Sequence, residues 1–217
     1  MALAIILAWH EEGTYDLTHS VINCSFAIAV PFLEAVKLDS SITKLYRSII
    51  SYGGNIVASA GNANPNQSKV YLKKNTTKIG NSLCYLIIGT KDNSKPDIET
   101  ASTWVPMCYE EVILIGNASF NWEISPCSYR PAPMGYAPRN LFVWAPGTDL
   151  PGLKDPDQNV TVTGTSFAAP LVSGALASVI TLKGPVKPTP GVQRAALQEF
   201  LNDTILDQPC LNWWPQK

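Results

Sequence analysis

Between Val21 and Ala60 the chain alternates in hydrophobic period in a way that few folds accommodate. Val21 to Val30 (VINCSFAIAV) is an apolar run of strand length, and such a run suits a strand covered on both faces. Asp39 to Tyr52 follows with Ile42, Leu45, Tyr46, Ile49 and Ile50 at helical spacing. Asp39, Ser40 or Ser41 is available as its cap, and Gly53-Gly54 ends it. Asn55 to Ala60 (NIVASA) is then a second short strand that runs into Gly61-Asn62. Strand, helix, strand is the crossover unit of a parallel sheet, and its hand is expected to be right.

The same alternation continues along the chain. Glu111 to Gly116 (EVILIG) and Leu141 to Ala145 (LFVWA) read as further strands, with a proline- and aromatic-rich loop between them. A helix rich in small residues runs from about Thr165 to Leu182, where Ala168, Ala169, Ser173, Gly174, Ala175 and Ala177 let it lie close beneath a sheet. Gly184 to Pro190 interrupts the chain before a last helix near Val192 to Leu201, with Val192, Ala196 and Phe200 on one face. Ala2 to His10 reads as a short, nearly all-apolar helix, expected to be buried. Lys69 to Thr103, polar and rich in lysine and asparagine around LCYLIIG, is treated as an insertion. The fold class expected is α/β, with a three-layer parallel sheet and one domain over 1–217.

Composition excludes several functions. The 217 residues are 46% hydrophobic, enough for a packed core, and 16 basic residues against 17 acidic ones leave a net charge of −1. A nucleic-acid partner is therefore not expected. The longest uninterrupted apolar run, Met1 to Trp9, is far shorter than the roughly 20 residues of a membrane-spanning helix. No membrane partner is expected either. That run has no basic stretch before it and is followed by His10, Glu11 and Glu12, unlike a secretory signal. Localisation stays open. The five cysteines have no paired metal-ligand spacing, so no metal and no cofactor are expected; disulfides remain open. Six Asn-x-Ser/Thr acceptors, at Asn23, Asn66, Asn75, Asn117, Asn159 and Asn202, are a weak hint of a secreted glycoprotein.

The chemistry concentrates at Gly164 to Pro170, GTSFAAP. A serine between a glycine and the first turn of a helix exposes its hydroxyl, with the positive end of the helix dipole beside it. That environment suits a nucleophile. Pro170 fits the same reading as a first-turn residue, since a proline is tolerated there, where its missing N–H has no partner to lose. Thr165 or Ser166 could equally be a helix cap, the common role of hydroxyls at such a boundary.

GTSFAAP followed by a small-residue helix resembles the nucleophile motif G-T-S-x-A-x-P of the subtilisin-like serine peptidases, the subtilases. Three further segments agree in order: VINCSF resembles the family's V-I-N-M-S-x strand, ASAGN its A-A-G-N oxyanion motif, and APG at Ala145 to Gly147 the A-P-G that precedes the nucleophile. The resemblance covers most of the chain apart from Lys69 to Thr103. It implies Ser166 as nucleophile and Asn62 as side-chain donor to the oxyanion. It also implies Ser25, Phe26 and Ala27 as one wall of the pocket for the substrate residue before the cut, and Ser59, Ala60 and Gly61 as the other. Gly164 and Thr165 complete the approach. Glycine is usual where Ala27 stands, and its added methyl is expected to crowd substrate pairing.

The acid motif D-[ST]-G and the base motif H-G-T-x-V-A-G are absent. Only His10 and His19 are available, neither followed by Gly-Thr, and the order Asp16, His19, Ser166 is taken as coincidence. Without a base a serine hydroxyl is a weak nucleophile. The chain thus resembles the C-terminal half to two-thirds of a subtilase domain, N-terminally truncated, with a missing N-terminal half as a possible partner. Two functions follow: a serine endopeptidase homologue for peptide or protein substrates, inactive as this fragment, or a pseudopeptidase that binds peptides or a protein partner without cutting. A third, another α/β serine hydrolase, is set aside because no G-x-S-x-G elbow occurs. The strand Val21 to Ala29 is expected to be an exposed, uncharged sheet edge.

Overall fold

The computed structural model describes residues 2–31, 34, 37, 40–62, 71–72, 102–131, 140–155, 158–205 and 208–211. Its strands are β1 (Val21–Cys24), β2 (Ile28–Pro31), β3 (Asn55–Ser59), β4 (Tyr71–Leu72), β5 (Ser102–Val105), β6 (Ile113–Ala118), β7 (Arg130–Pro131), β8 (Phe142–Pro146), β9 (Leu150–Asp155), β10 (Gln158–Val162), β11 (Leu201–Ile205) and β12 (Gln208–Leu211). Its helices are α1 (Ala2–Glu11), α2 (Ser41–Ser51), α3 (Thr165–Lys183) and α4 (Pro190–Leu197).

Six strands form the central sheet in the order β1-β3-β6-β8-β12-β11. The β1, β3, β6, β8 and β12 pairings are all parallel, and β11 closes the far edge antiparallel to β12. The strand periodicity explains the layers. On β3, β6 and β8, Ile56, Ala58, Leu114, Phe142 and Trp144 enter the core that includes Tyr46 and Ile49 of α2. Their neighbours Val57, Ile113, Ile115, Val143 and Ala145 enter the core that α3 fills with Ala168, Ala169, Val172, Ala175 and Leu176. Both faces are covered, which is why these strands carry continuous apolar runs. Ser40 caps α2 by accepting from the Thr43 N–H. A bidentate pair from Arg47 to Glu111, at 2.9 Å to each oxygen, ties α2 to the start of β6. By length and apolar composition α3 is the kind of helix that crosses a bilayer. Here its apolar side lies on the sheet.

Several expectations need correction. Val21 to Val30 is not one strand: β1 ends at Cys24, and β2 leaves the central sheet to pair antiparallel with β5. The expected free edge is therefore limited to β1, which pairs with β3 alone among the described residues. Helix α1 is present but contains no buried residue. Leu3, Ile6 and Leu7 pack partly on the core, whereas Ile5 and Trp9 are 41% and 50% exposed. Pro170 is the sixth residue of α3 rather than a first-turn residue. The last helix ends at Leu197 and buries Gln193 and Leu197, while Val192 is exposed. Gln193 reaches inward because it donates to Asn55 Oδ1 at 3.1 Å and to the Glu111 carbonyl at 2.8 Å. Of the segment Lys69 to Thr103, only Tyr71, Leu72, Ser102 and Thr103 are among the described residues.

Candidate active site

The strands β1 and β3 run parallel in the register Val21 opposite Asn55, so their C-terminal ends reach the same side of the sheet. Ser25 to Ala27 leave the end of β1, Ser59 to Asn62 leave the end of β3, and the N-terminus of α3 rises between them. In an open parallel sheet this is where ligands bind. A cleft of about 240 Å³ opens there. Ser25, Phe26, Ala27, Ser59, Ala60, Gly61, Asn62, Thr165 and Ser166 all line it. Gly164 stands behind: a Cβ on it would lie 3.1 Å from Asn62 Nδ2 and 3.4 Å from Ser166 Oγ. A side chain there would occupy the space between the two groups.

Asn62 is held by Thr165. Its Oδ1 accepts the Thr165 N–H at 2.9 Å and the Thr165 hydroxyl at 3.1 Å. The Thr165 hydroxyl oxygen in turn accepts the Gly61 N–H at 3.2 Å. With Oδ1 so engaged, Nδ2 is the end of the amide left to donate. Gly61 has φ +96, a conformation that suits glycine, and the Tyr129 ring covers it so closely that a Cβ would come within 2.8 Å. Tyr129 also donates its N–H to the Gly61 carbonyl at 3.1 Å.

Ser166 is in the first turn of a 19-residue helix that has no acidic residue in that turn. The helix dipole is therefore unopposed there and favours an oxyanion. No described residue hydrogen-bonds Ser166 Oγ. Its carbonyl oxygen accepts from Ser25 Oγ at 2.9 Å. The neighbouring thiol, Cys24, is buried with Sγ 3.8 Å from Tyr46 Oη. Burial pushes both groups above their ordinary pKa values. Cys24 is thus a packed core thiol and not a reacting group.

Neither histidine is brought to the cleft. His19 Nδ1 lies 2.6 Å from Asp16 Oδ2, an acid-imidazole pair at the N-terminal end of β1. The four residues of β1, rising about 3.3 Å each, lie between that end and the cleft. His10 Nδ1 bonds the Tyr15 carbonyl at 3.0 Å, and its ring packs on Tyr52 at 4.6 Å between centroids. Asp16 is held well below the usual carboxylate range, at about 2, by the Thr18 hydroxyl first, then the Thr18 N–H and His19.

The sequence did not single out Trp104, Met107 and Tyr129, which also line the cleft. Trp104 and Met107 arrive from a segment distant in sequence because β5 pairs with β2. Tyr129 sits in the loop after β6, where only its packing on Gly61 marks it. No local pattern signals any of the three. Among the described residues, no three His, Cys, Asp or Glu side chains gather as a metal site would require. Of the six glycosylation acceptors, Asn117 is buried, and Asn23 is exposed and hydrogen-bonded to Ser25 at 3.0 Å.

The fold described above is shared with known proteins. A cold-adapted subtilisin-like serine proteinase is similar over 97% of this chain and 60% of its own, with 15% identity and a TM-score of 0.56. The nisin leader peptidase NisP from Lactococcus lactis is similar over 97% and 59%, with 18% identity and a TM-score of 0.59. MycP1 from Mycobacterium smegmatis is similar over 94% and 48%, with 19% identity and a TM-score of 0.57. The chain thus spans about half to three-fifths of the length of these structures, and the likeness establishes a subtilisin-like fold. No curated protein matches in sequence. The subtilase family model matches residues 15–211, nearly the whole chain. The chain belongs to the subtilase family.

Proposed function

We propose that this chain carries the nucleophile and oxyanion part of a serine peptidase site, takes an extended peptide in its cleft, and does not by itself cut it. The observation that carries the proposal is that Asn62 and Ser166 line one cleft, with Asn62 Nδ2 and Ser166 Oγ lying 3.1 and 3.4 Å from the place a Cβ on Gly164 would take. A peptide carbonyl entering the cleft between these two side chains would face the Ser166 hydroxyl and receive a hydrogen bond from Asn62 as negative charge develops on its oxygen. Asn62 would not need to reorient, since Thr165 already fixes its other end. Ser25 to Ala27 and Ser59 to Gly61 would form the walls around the residue before the cut. None of the described lining residues is charged, so the cleft suits an uncharged peptide side chain.

Among the described residues the Ser166 hydroxyl has no proton acceptor. A general base has to come within about 2.6 to 3.2 Å of the proton it takes, and both histidines are held elsewhere by their own partners. On this reading the acid and base are supplied by the D-[ST]-G and H-G-T-x-V-A-G motifs of a separate polypeptide. The alternative is a peptide-binding pseudopeptidase, and what favours it is the same engagement of His10 and His19. Segment 69–103 is proposed to be an insertion in this domain. Co-expression with a subtilase N-terminal half carrying D-[ST]-G and H-G-T-x-V-A-G separates the two readings. Recovery of peptide hydrolysis that Ser166→Ala abolishes supports the peptidase half-site. A stable assembly that binds peptide and never hydrolyses it supports the pseudopeptidase.

A further inference from the structure

Pro170 creates a vacancy in the first turns of α3. In an α-helix the N–H of residue 170 donates to the carbonyl of residue 166, and proline has no N–H to give. The carbonyl of Ser166, the residue on which the proposed chemistry depends, thus has no helical donor. Ser25, 141 positions earlier and just past the end of β1, places its hydroxyl 2.9 Å from that oxygen. Ser25 is itself anchored. Its oxygen accepts from Asn23 Nδ2 at 3.0 Å, and Asn23 Oδ1 accepts from Ser173 Oγ at 3.2 Å. Ser173 lies on α3 and shares its proton with the Ala169 carbonyl at 3.0 Å. The chain of bonds leaves the helix at Ser173, crosses to the end of β1 and returns at Ser166.

We propose that Ser25 is a positioning residue for Ser166: it supplies the hydrogen bond that Pro170 removes, and so sets the direction in which the first turn of α3 presents the hydroxyl to the cleft. Thr165 fixes the turn from one side through Asn62, and Ser25 fixes it from the other. A proline in the second turn permits a donor from outside the helix to take the vacant carbonyl. The orientation of Ser166 is thereby tied to the sheet end that forms the wall of the cleft. This inference rests on the reading of Ser166 as the reacting hydroxyl, but its test does not need that hydroxyl to react.

The test is a mutant cycle over Ser25 and Pro170, in which Pro170→Ala restores the helical donor. Carbonyl-¹³C serine with ¹⁵N phenylalanine gives cross-peaks for the three Ser-Phe pairs, Ser25-Phe26, Ser119-Phe120 and Ser166-Phe167, the last identified by its loss in Ser166→Ala. Ser25→Ala is expected to shift the Ser166 carbonyl resonance to lower frequency, as loss of its donor requires, and to lower the melting temperature by about 2–4 °C. Ser25→Thr, which keeps the hydroxyl, is expected to retain the wild-type resonance. Ser25→Ala with Pro170→Ala is expected to recover both resonance and melting temperature. An unmoved resonance in Ser25→Ala, or a double variant no closer to wild type than the single one, overturns the proposal. If Ser25→Ala does not fold, the double variant decides: a folded double variant with the wild-type resonance supports it, and an unfolded or shifted one overturns it. Failure of the cycle removes the role of Ser25 alone. Failure of Ser166 to act once an acid and base are supplied would instead sink the functional reading and leave the cycle unaffected.

Discussion

Asn62 and Thr165, 103 positions apart, are joined twice, because one amide oxygen accepts both the backbone N–H and the hydroxyl of Thr165. The same hydroxyl oxygen accepts the Gly61 N–H. One buried threonine therefore keys the end of β3 to the start of α3. Thr165→Val keeps the shape and the backbone bond but leaves the Gly61 N–H without an acceptor. A loss of about 1–3 kcal/mol is expected, read by thermal unfolding as a fall of roughly 2–4 °C per kcal/mol. An unchanged melting temperature would show that the Thr165 hydroxyl contributes nothing to this joint.

Gly116 lies on β6 beneath the Trp144 ring, and a Cβ there would come within 2.5 Å of it. The ring is fully buried in the core that includes Tyr46 and Ile49 of α2, edge-on to Phe142 at 5.0 Å between centroids. Gly116→Ala is expected to cost at least 1–3 kcal/mol by overpacking. Chemical denaturation would measure it, and a neutral substitution would contradict the packing described here.

The exposed Asp16–His19 pair leads to a pH prediction. Asp16 titrates at about 2 in the folded chain against an ordinary 3.8, so the folded state binds fewer protons between these values. Its contribution is fully present above about pH 4 and is lost as pH falls through 2. Asp16→Asn is expected to flatten the fall of melting temperature between pH 4 and 2 and to leave it unchanged at pH 7 relative to pH 5. His19→Ala should not alter the chemistry of Ser166, since His19 lies at the other end of β1. Equal acid sensitivity of wild type and Asp16→Asn would contradict this assignment.

The β1 edge has neither charge nor proline, the usual protections of an unpaired strand, and α1 exposes Ile5 and Trp9. The chain alone is expected to self-associate, and Trp9→Glu is expected to reduce that association. A monomer with a cooperative transition, by size exclusion and thermal unfolding, would contradict it.

The parts legible in the sequence are those with local cause. Ser41–Ser51 follows from helical spacing and the Ser40 cap, and Asn55–Ser59 from a short apolar run bounded by glycines. Ser166 and Asn62 come together because their motifs end adjacent elements. The division of Val21 to Val30 was not legible, since its residues are apolar throughout and the break depends on pairing with Ser102–Val105. Nor was the β11–β12 hairpin, whose polar residues lack strand alternation. Gln193 was missed because a helical apolar pattern ignores an amide that buries itself to satisfy Asn55 and a backbone carbonyl. Trp104 and Met107 reach the cleft through a distant strand pairing that no local signal encodes.

The central claim, that Ser166 is placed but not activated in this chain, is tested most directly by a fluorophosphonate probe that labels active serine hydrolases. Wild-type chain is expected to stay unmodified under conditions where a complete subtilase reacts within minutes, because no base among the described residues reaches the Ser166 hydroxyl and both histidines are held elsewhere. Rapid labelling of the chain by itself, abolished by Ser166→Ala, would contradict the account and require a base within reach of Ser166.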